Sequence, residues 1–181
     1  MKTYITSDLH FGHKNIMKFC PVTRARFRDD VAYMNGMMIK EWNDLIQPED
    51  TVYILGDVAF MSGSDAGRIM HSLNGTKILI EGNHDRKTLM DETFRSAFKE
   101  VHSYLNITYD GHKIALFHYP IAEWDQMHRG ALHFYGHLHG GDSGLEKYRC
   151  RDVGMDATGM IAVTLDWAIA NVKNNEIKGH H

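Results

Sequence analysis

The sequence predicts an α/β fold, and three observations carry that reading. Short apolar runs at 51–55 and 77–80 look like fully buried strands. Between them a helix near 64–73 is read to return the chain, the kind of crossover that parallel strands need. Further on, Asp110-Gly111 stands between two strand-like runs and signals a hairpin, so antiparallel pairing follows the parallel half.

The chain supports the prediction element by element. Residues 2–7 read as the first strand and 8–13 as the loop leaving its carboxyl end. Residues 20–28 hold Pro21, Arg24, Arg26 and Arg28, which points to an irregular, exposed connection. Asp29 is placed to cap a helix running to about Gln47, with Val31, Met34, Met38, Trp42 and Leu45 on its inner face and Pro48 at its end. The strand at 51–55 ends in Gly56-Asp57. A helix over 64–73 returns the chain to the strand at 77–80, which ends in Gly82-Asn83-His84-Asp85. Residues 87–98 look helical, with Leu89, Met90, Phe94 and Phe98 inside. Strands at 104–109 and 112–117 form the hairpin, followed by strands at 131–135 and 161–165 and a helix over 166–173.

Composition limits the possibilities. A chain of 181 residues has room for one substantial core, and a single domain is expected over 1–178. Its 43% hydrophobic and 24% charged content is that of an ordinary soluble protein. A formal net charge of -3 argues against a broad, non-specific nucleic-acid surface but leaves phosphate substrates open, because bound cations reverse the local sign. Cys20 and Cys150 form no C-x-x-C pair. Both read as free thiols in a reducing, cytoplasmic setting, and neither as a zinc ligand. No signal peptide and no bilayer-spanning segment are read, and 179–181 read as the remnant of an expression tag.

Polar clusters recur where the strands end: Asp8 with His10, Asp57, Asn83 with His84, His118, and His137 with His139. In open α/β sheets that edge is where ligands bind. Two carboxylates, three or four imidazoles and an amide oxygen are too many ligands for one tetrahedral zinc. They suit two ions sharing a carboxylate at a separation of ~3.5–4 Å. The D-x-H and H-x-H spacings fit extended chain, where residues i and i+2 point the same way. His71, His102, His112, His128 and His133 lie outside the clusters and are read as structural.

Taken in order, D-x-H, G-D, G-N-H-D, a lone histidine after a strand and G-H-x-H resemble the calcineurin-like metallophosphoesterases, in a small single-domain branch, from Asp8 to His139. The resemblance implies two mixed β-sheets flanked by helices in a four-layer αββα sandwich. It implies a metal-dependent phosphoric ester hydrolase (a phosphatase or phosphodiesterase) in which a hydroxide held between two divalent ions attacks phosphorus. Asp8, His10 and His139 would hold one ion, Asn83, His118 and His137 the other, and Asp57 would bridge them. His84 would be the general acid or a phosphate-contacting histidine and not a ligand, and manganese, iron, zinc or nickel would be the ions.

One departure stands out. Many relatives carry a second aspartate three residues after the first, in G-D-x-x-D, where this chain has Phe60. Asp85 is then the candidate for setting the tautomer of His84. His13 and Arg86 are candidate substrate contacts. The expected substrate is a small phosphoester or a nucleotide. A single-stranded nuclease and a non-catalytic metal scaffold are the alternatives, and neither duplex nucleic acid nor a membrane is expected as a partner.

Overall fold

The structure is a computed structural model and describes residues 1–179, so His180 and His181 of the expected tag remnant lie outside the described residues. In chain order the strands are β1 (Thr3–Thr6), β2 (Thr51–Ile54), β3 (Thr76–Ile80), β4 (Glu100–His102), β5 (Leu105–Tyr109), β6 (His112–Leu116), β7 (Leu132–Tyr135), β8 (Cys150–Asp152) and β9 (Val163–Thr164). The helices are α1 (Ile16–Phe19), α2 (Pro21–Arg24), α3 (Val31–Leu45), α4 (Gly63–Ser72), α5 (Glu92–Arg95), α6 (Met155–Thr158) and α7 (Leu165–Ala170).

Two mixed sheets result. The first has the order β4-β3-β2-β1-β9 and the second β5-β6-β7-β8. Strands β1 to β4 run parallel, with Thr3 opposite Thr51 and Thr51 opposite Thr76, and β9 is antiparallel to β1. In the second sheet only the β5–β6 hairpin is antiparallel, whereas β6, β7 and β8 are parallel. The parallel character of the first half thus returns after the hairpin.

Strand alternation sorts the apolar side chains into two layers. Tyr4, Val52, Ile54 and Leu79 pack with Met34, Met38 and Trp42 of α3. Ile5, Leu55, Ile78 and Ile80 pack with Ile114, Leu116, Leu132 and Phe134 of the second sheet. The other face of the second sheet is covered more thinly, by Trp124 and by Met127 of a short 3-10 turn.

Several expectations are corrected. Asp30, not Asp29, caps α3, accepting from the Tyr33 N–H, and Leu45 on that helix is 39% exposed. Residues 20–28 are not a loose connection, since α2 and a 3-10 turn carry Arg24 and Phe27 into the interior with no exposed surface. The helix expected over 87–98 is broken into a 3-10 turn (Thr88–Met90) and α5, because the Asp91 side chain accepts from the Thr93 N–H and restarts the helix. Met90 consequently lies 85% exposed, whereas Phe94 is buried. The last strand is only β9, because Thr164 caps α7. No described helix is long and apolar enough to cross a membrane.

Candidate metal centre

Each expected ligand lies just beyond the carboxyl end of a strand: Asp8 and His10 after β1, Asp57 after β2, Asn83 after β3, His118 after β6, and His137 and His139 after β7. The two sheets bring these ends together. Asp8, His10 and His139 offer ligand atoms within 4.8 Å of one another, and so do Asp57, His118 and His137.

The backbone at these positions is unusual. Asp8, His10, Asp57, His137 and His139 all have positive φ, between 50° and 70°. Non-glycine residues seldom adopt this conformation, and such strain gathers where function demands it. The geometry also corrects the extended-chain explanation of D-x-H and H-x-H. His137 and His139 do not share one direction but serve different groups of ligands, because the chain turns at each of them.

Close-approach glycines make the turns possible. A Cβ on Gly82 would lie 2.4 Å from Asp57 Oδ1, and one on Gly136 would lie 2.0 Å from Ser7 Oγ. Buried Asp85 ties two of the strand ends together, its carboxylate accepting from the N–H groups of Gly82, Asp57 and Val58 at 2.8–2.9 Å. Burial pushes its pKa up, and the three amide donors partly offset that. Asp85 therefore builds the loops, and none of its hydrogen bonds goes to the ring of His84.

Several atoms have geometry that fits metal ligation. Asp8 Oδ1 and His10 Nε2 are fully buried and have no hydrogen-bond partner among the described residues. They lie 3.8 Å apart, too far for a hydrogen bond but suitable for two ligands of one cation. His118 Nδ1 donates to the Leu55 carbonyl at 2.7 Å, which leaves the Nε2 lone pair facing Asn83 Oδ1 at 2.9 Å. Two acceptors face each other there, and a cation between them resolves the conflict. The donors, carboxylate, amide oxygen and imidazole, suit divalent transition ions.

Asp57 stands between the groups. Its Oδ2 is 3.9 Å from His10 Nε2, and its Oδ1 is 3.6 Å from His118 Nε2 and accepts the His84 N–H at 3.0 Å. Burial raises the pKa of Asp8, but the neighbouring imidazoles of His10, His139 and His118 outweigh it and hold the carboxyl below its usual value. Burial depresses the pKa of both His10 and His137, favouring the neutral, ligating form.

The remaining candidates surround this centre. His13 Nδ1 meets His10 Nδ1 at 3.0 Å, and its ring stacks on Phe60 at 4.1 Å. Burial, aided by His10, takes the pKa of His13 down to about 4, so it faces His10 as a neutral acceptor. The side chain of His84 is 47% exposed, with Nε2 3.9 Å from Asp57 Oδ2. Its ring packs on Phe60 at 4.5 Å, so the residue standing in place of the second aspartate touches the histidine without hydrogen bonding to it. Arg86 lines a groove beside His84.

Sequence reasoning missed the network behind His139. Its Nδ1 lies 2.9 Å from Asp156 Oδ2, and Asp156 is paired with Arg24 through two hydrogen bonds of 2.8 Å. Arg24 also donates to the carbonyls of Asp8 and Leu9. Burial works against the Asp156 charge, but His139 and Arg24 outweigh it and hold the carboxyl well below the usual range. A weaker signal was present: after β8, Val153-Gly154 is followed one residue later by Asp156, close to the strand–glycine–aspartate run of Leu55-Gly56-Asp57 but with Met155 inserted. Cys20 also lies near Asp156 and His139. Burial pushes its thiol up to about 12, and Arg24, Thr23 and His139 already engage the Asp156 carboxylate, so this trio is a poor metal site.

Comparison with known proteins agrees with this picture. The profile of the calcineurin-like phosphoesterase superfamily domain matches residues 1–149. An uncharacterized protein of Methanocaldococcus jannaschii is 34% identical over 140 residues, covering 76% of this chain and 69% of that one. The Gene 66 protein of Mycobacterium phage L5 is 40% identical over 108 residues, covering 56% of this chain and 47% of that one. The crystal structure of a protein of unknown function from Aquifex aeolicus shares the fold, with a TM-score of 0.72 at 24% identity over 92% of this chain and 96% of that one. The chain belongs to the calcineurin-like phosphoesterase superfamily and is a metal-dependent phosphoric ester hydrolase.

Proposed function

We propose that the chain would hold two divalent cations at this centre and that it hydrolyses a small phosphoester or nucleotide there. Asp8, His10 and His139 hold one ion, and Asn83, His118 and His137 the other. The observation that carries this reading is the position of Asp57, with one carboxylate oxygen toward His10 and the other toward His118. Bound there, the pair of cations supplies positive charge for the phosphate and an acidified water as nucleophile. Asp8 and Asp57 offset only about half of the ~+4 charge of two divalent ions, so the site keeps its attraction for an anion.

The protein contributes the proton and its placement. His84 projects from the β3 end toward solvent on the side of Asp57, where it can donate a proton to the leaving oxygen. Phe60 supports that ring from one side. The ligands suit manganese, iron, zinc or nickel. The free thiols Cys20 and Cys150 fit a reducing, cytoplasmic setting.

The test is elemental analysis of protein reconstituted with each metal, paired with hydrolysis of phosphomonoesters and phosphodiesters. Two ions per chain are expected, and Asp57→Ala should lose both together with activity. One tightly held zinc, indifferent to Asp57→Ala, would refute the reading.

A further inference from the structure

The reading of His84 as proton donor places the leaving group on its side of the centre, and the inference here rests on that reading. That side opens into a groove of about 1080 Å³ that includes Asn83 and His84. This is at or slightly above the upper end of the ~300–1,000 Å³ range of small-ligand sites. Phe60, Met61 and Met90 give the groove an apolar wall. Met90 is held out at 85% exposure by the 3-10 turn that Asp91 ends. Arg86 and Lys87 line the same groove, and neither side chain has an ion pair or hydrogen bond among the described residues. The carboxylate in the lining, Asp91, has one oxygen engaged by the Thr93 N–H.

These features select a ligand class. Two flexible thioethers beside a phenyl ring make a surface for a flat heteroaromatic ring. Stacking of a base on such a surface is tolerant of base identity and needs an unstacked strand. Two unpaired cations fit a phosphate other than the one being cleaved. We propose that this groove is the leaving-group subsite and that it takes a nucleoside carrying its own phosphate. The substrate class is then a single-stranded nucleotide phosphodiester of two or more residues. In the reaction water adds across the scissile P–O bond: its oxygen goes to phosphorus, and the leaving nucleoside oxygen gains a proton.

The experiment compares three dinucleotides on manganese-loaded protein: TpT, pTpT and TpTp, with bis(p-nitrophenyl) phosphate as a reference diester. One of the two terminally phosphorylated dinucleotides should exceed TpT in kcat/KM by about tenfold, the effect of one added charge-assisted contact. Which of the two wins identifies whether the 3′ or the 5′ oxygen leaves. Lys87→Ala and Arg86→Ala should shrink that ratio toward one. Met90→Ala should lower kcat/KM for all three dinucleotides relative to the reference diester. Melting curves confirm that these exposed-site variants fold. Hydrolysis of the reference diester with equal kcat/KM for all three dinucleotides would overturn the subsite and leave the phosphoesterase reading standing. A ratio that survives both cation replacements would also overturn it. A metal-loaded protein that hydrolyses phosphomonoesters but no diester would overturn the subsite alone, and one that hydrolyses neither would overturn both.

Discussion

Arg24 carries its charge into the interior with no exposed surface, and its hydrogen bonds account for that charge atom by atom. Nε and Nη2 go to Asp156, Nη2 also donates to the Asp8 carbonyl, and Nη1 donates to the Leu9 carbonyl and faces the Met34 and Met38 sulfurs. One guanidinium thus braces the backbone of one candidate ligand and, through Asp156, the ring of another. A carboxylate behind a metal-bound imidazole fixes its tautomer, and its loss typically lowers metal affinity ~10–100-fold. Asp156→Asn should show that loss in a metal titration. It should also lower the melting temperature, because removing one partner of a buried ion pair costs about 3–5 kcal/mol. Unchanged metal affinity with reduced stability would restrict Asp156 to a structural role. The sequence displayed every candidate ligand as a strand-end polar residue, but it did not reveal Arg24. An arginine between Pro21 and Arg28 reads as solvated unless the partner 132 residues away is known.

At the scale of elements, the ends of β2 and β3 meet at two facing glycines. A Cβ on Gly56, whose φ is +88°, would lie 2.5 Å from the Gly82 backbone, and one on Gly82 would lie 2.5 Å from the Asp57 N atom. Both obstacles are backbone atoms, so neither clash is relieved by a side-chain rotation. Gly82→Ala should cost about 1–3 kcal/mol, as overpacking typically does, and should weaken metal retention by displacing Asp57. Denaturant unfolding and metal analysis of one preparation check both effects. The long amphipathic α3 and the buried runs of β2 and β3 were legible because their periodicity is strong. β4 and β8 were not, since each has three residues and gains its identity from neighbouring strands. Asp91 likewise overrode a helical pattern by capping, a competition that apolar spacing does not register.

For the whole molecule, one contribution to acid stability comes from His133, which has no exposed surface. Its Nδ1 donates to the Ala115 carbonyl and its Nε2 accepts from the Ile121 N–H, so a second proton would face a donor. Burial takes its pKa down from 6.5 to about 4. The unfolded chain therefore binds the proton first. The stability that His133 contributes is complete above about pH 6.5 and is lost as pH falls toward 4, on the order of 3 kcal/mol. Asp152 runs the other way: burial pushes its pKa up to about 6, and its contribution is lost as pH rises from about 4 to 6. The diagnostic is thus a difference. Stability measured against pH for His133→Gln, whose amide can make both hydrogen bonds, should fall less between pH 6.5 and 4 than that of the parent chain. Parallel curves for the two proteins would count against this assignment.

The candidate ligands sit on opposite sides of the seam between the sheets. Asp8, His10, Asp57 and Asn83 follow strands of the first sheet, and His118, His137 and His139 follow strands of the second. Each of the two groups within 4.8 Å draws on both sheets. Chelation is therefore a late event in the life of the chain. A nascent polypeptide that has made only β1 to β4 holds Asp8, His10, Asp57 and Asn83, and the remaining ligands arrive with residues 118–139. An ion that binds only the finished arrangement stabilises that arrangement by mass action. It acts as a latch that closes after the two halves have met, which ties the metal supply of the cell to the lifetime of the folded protein.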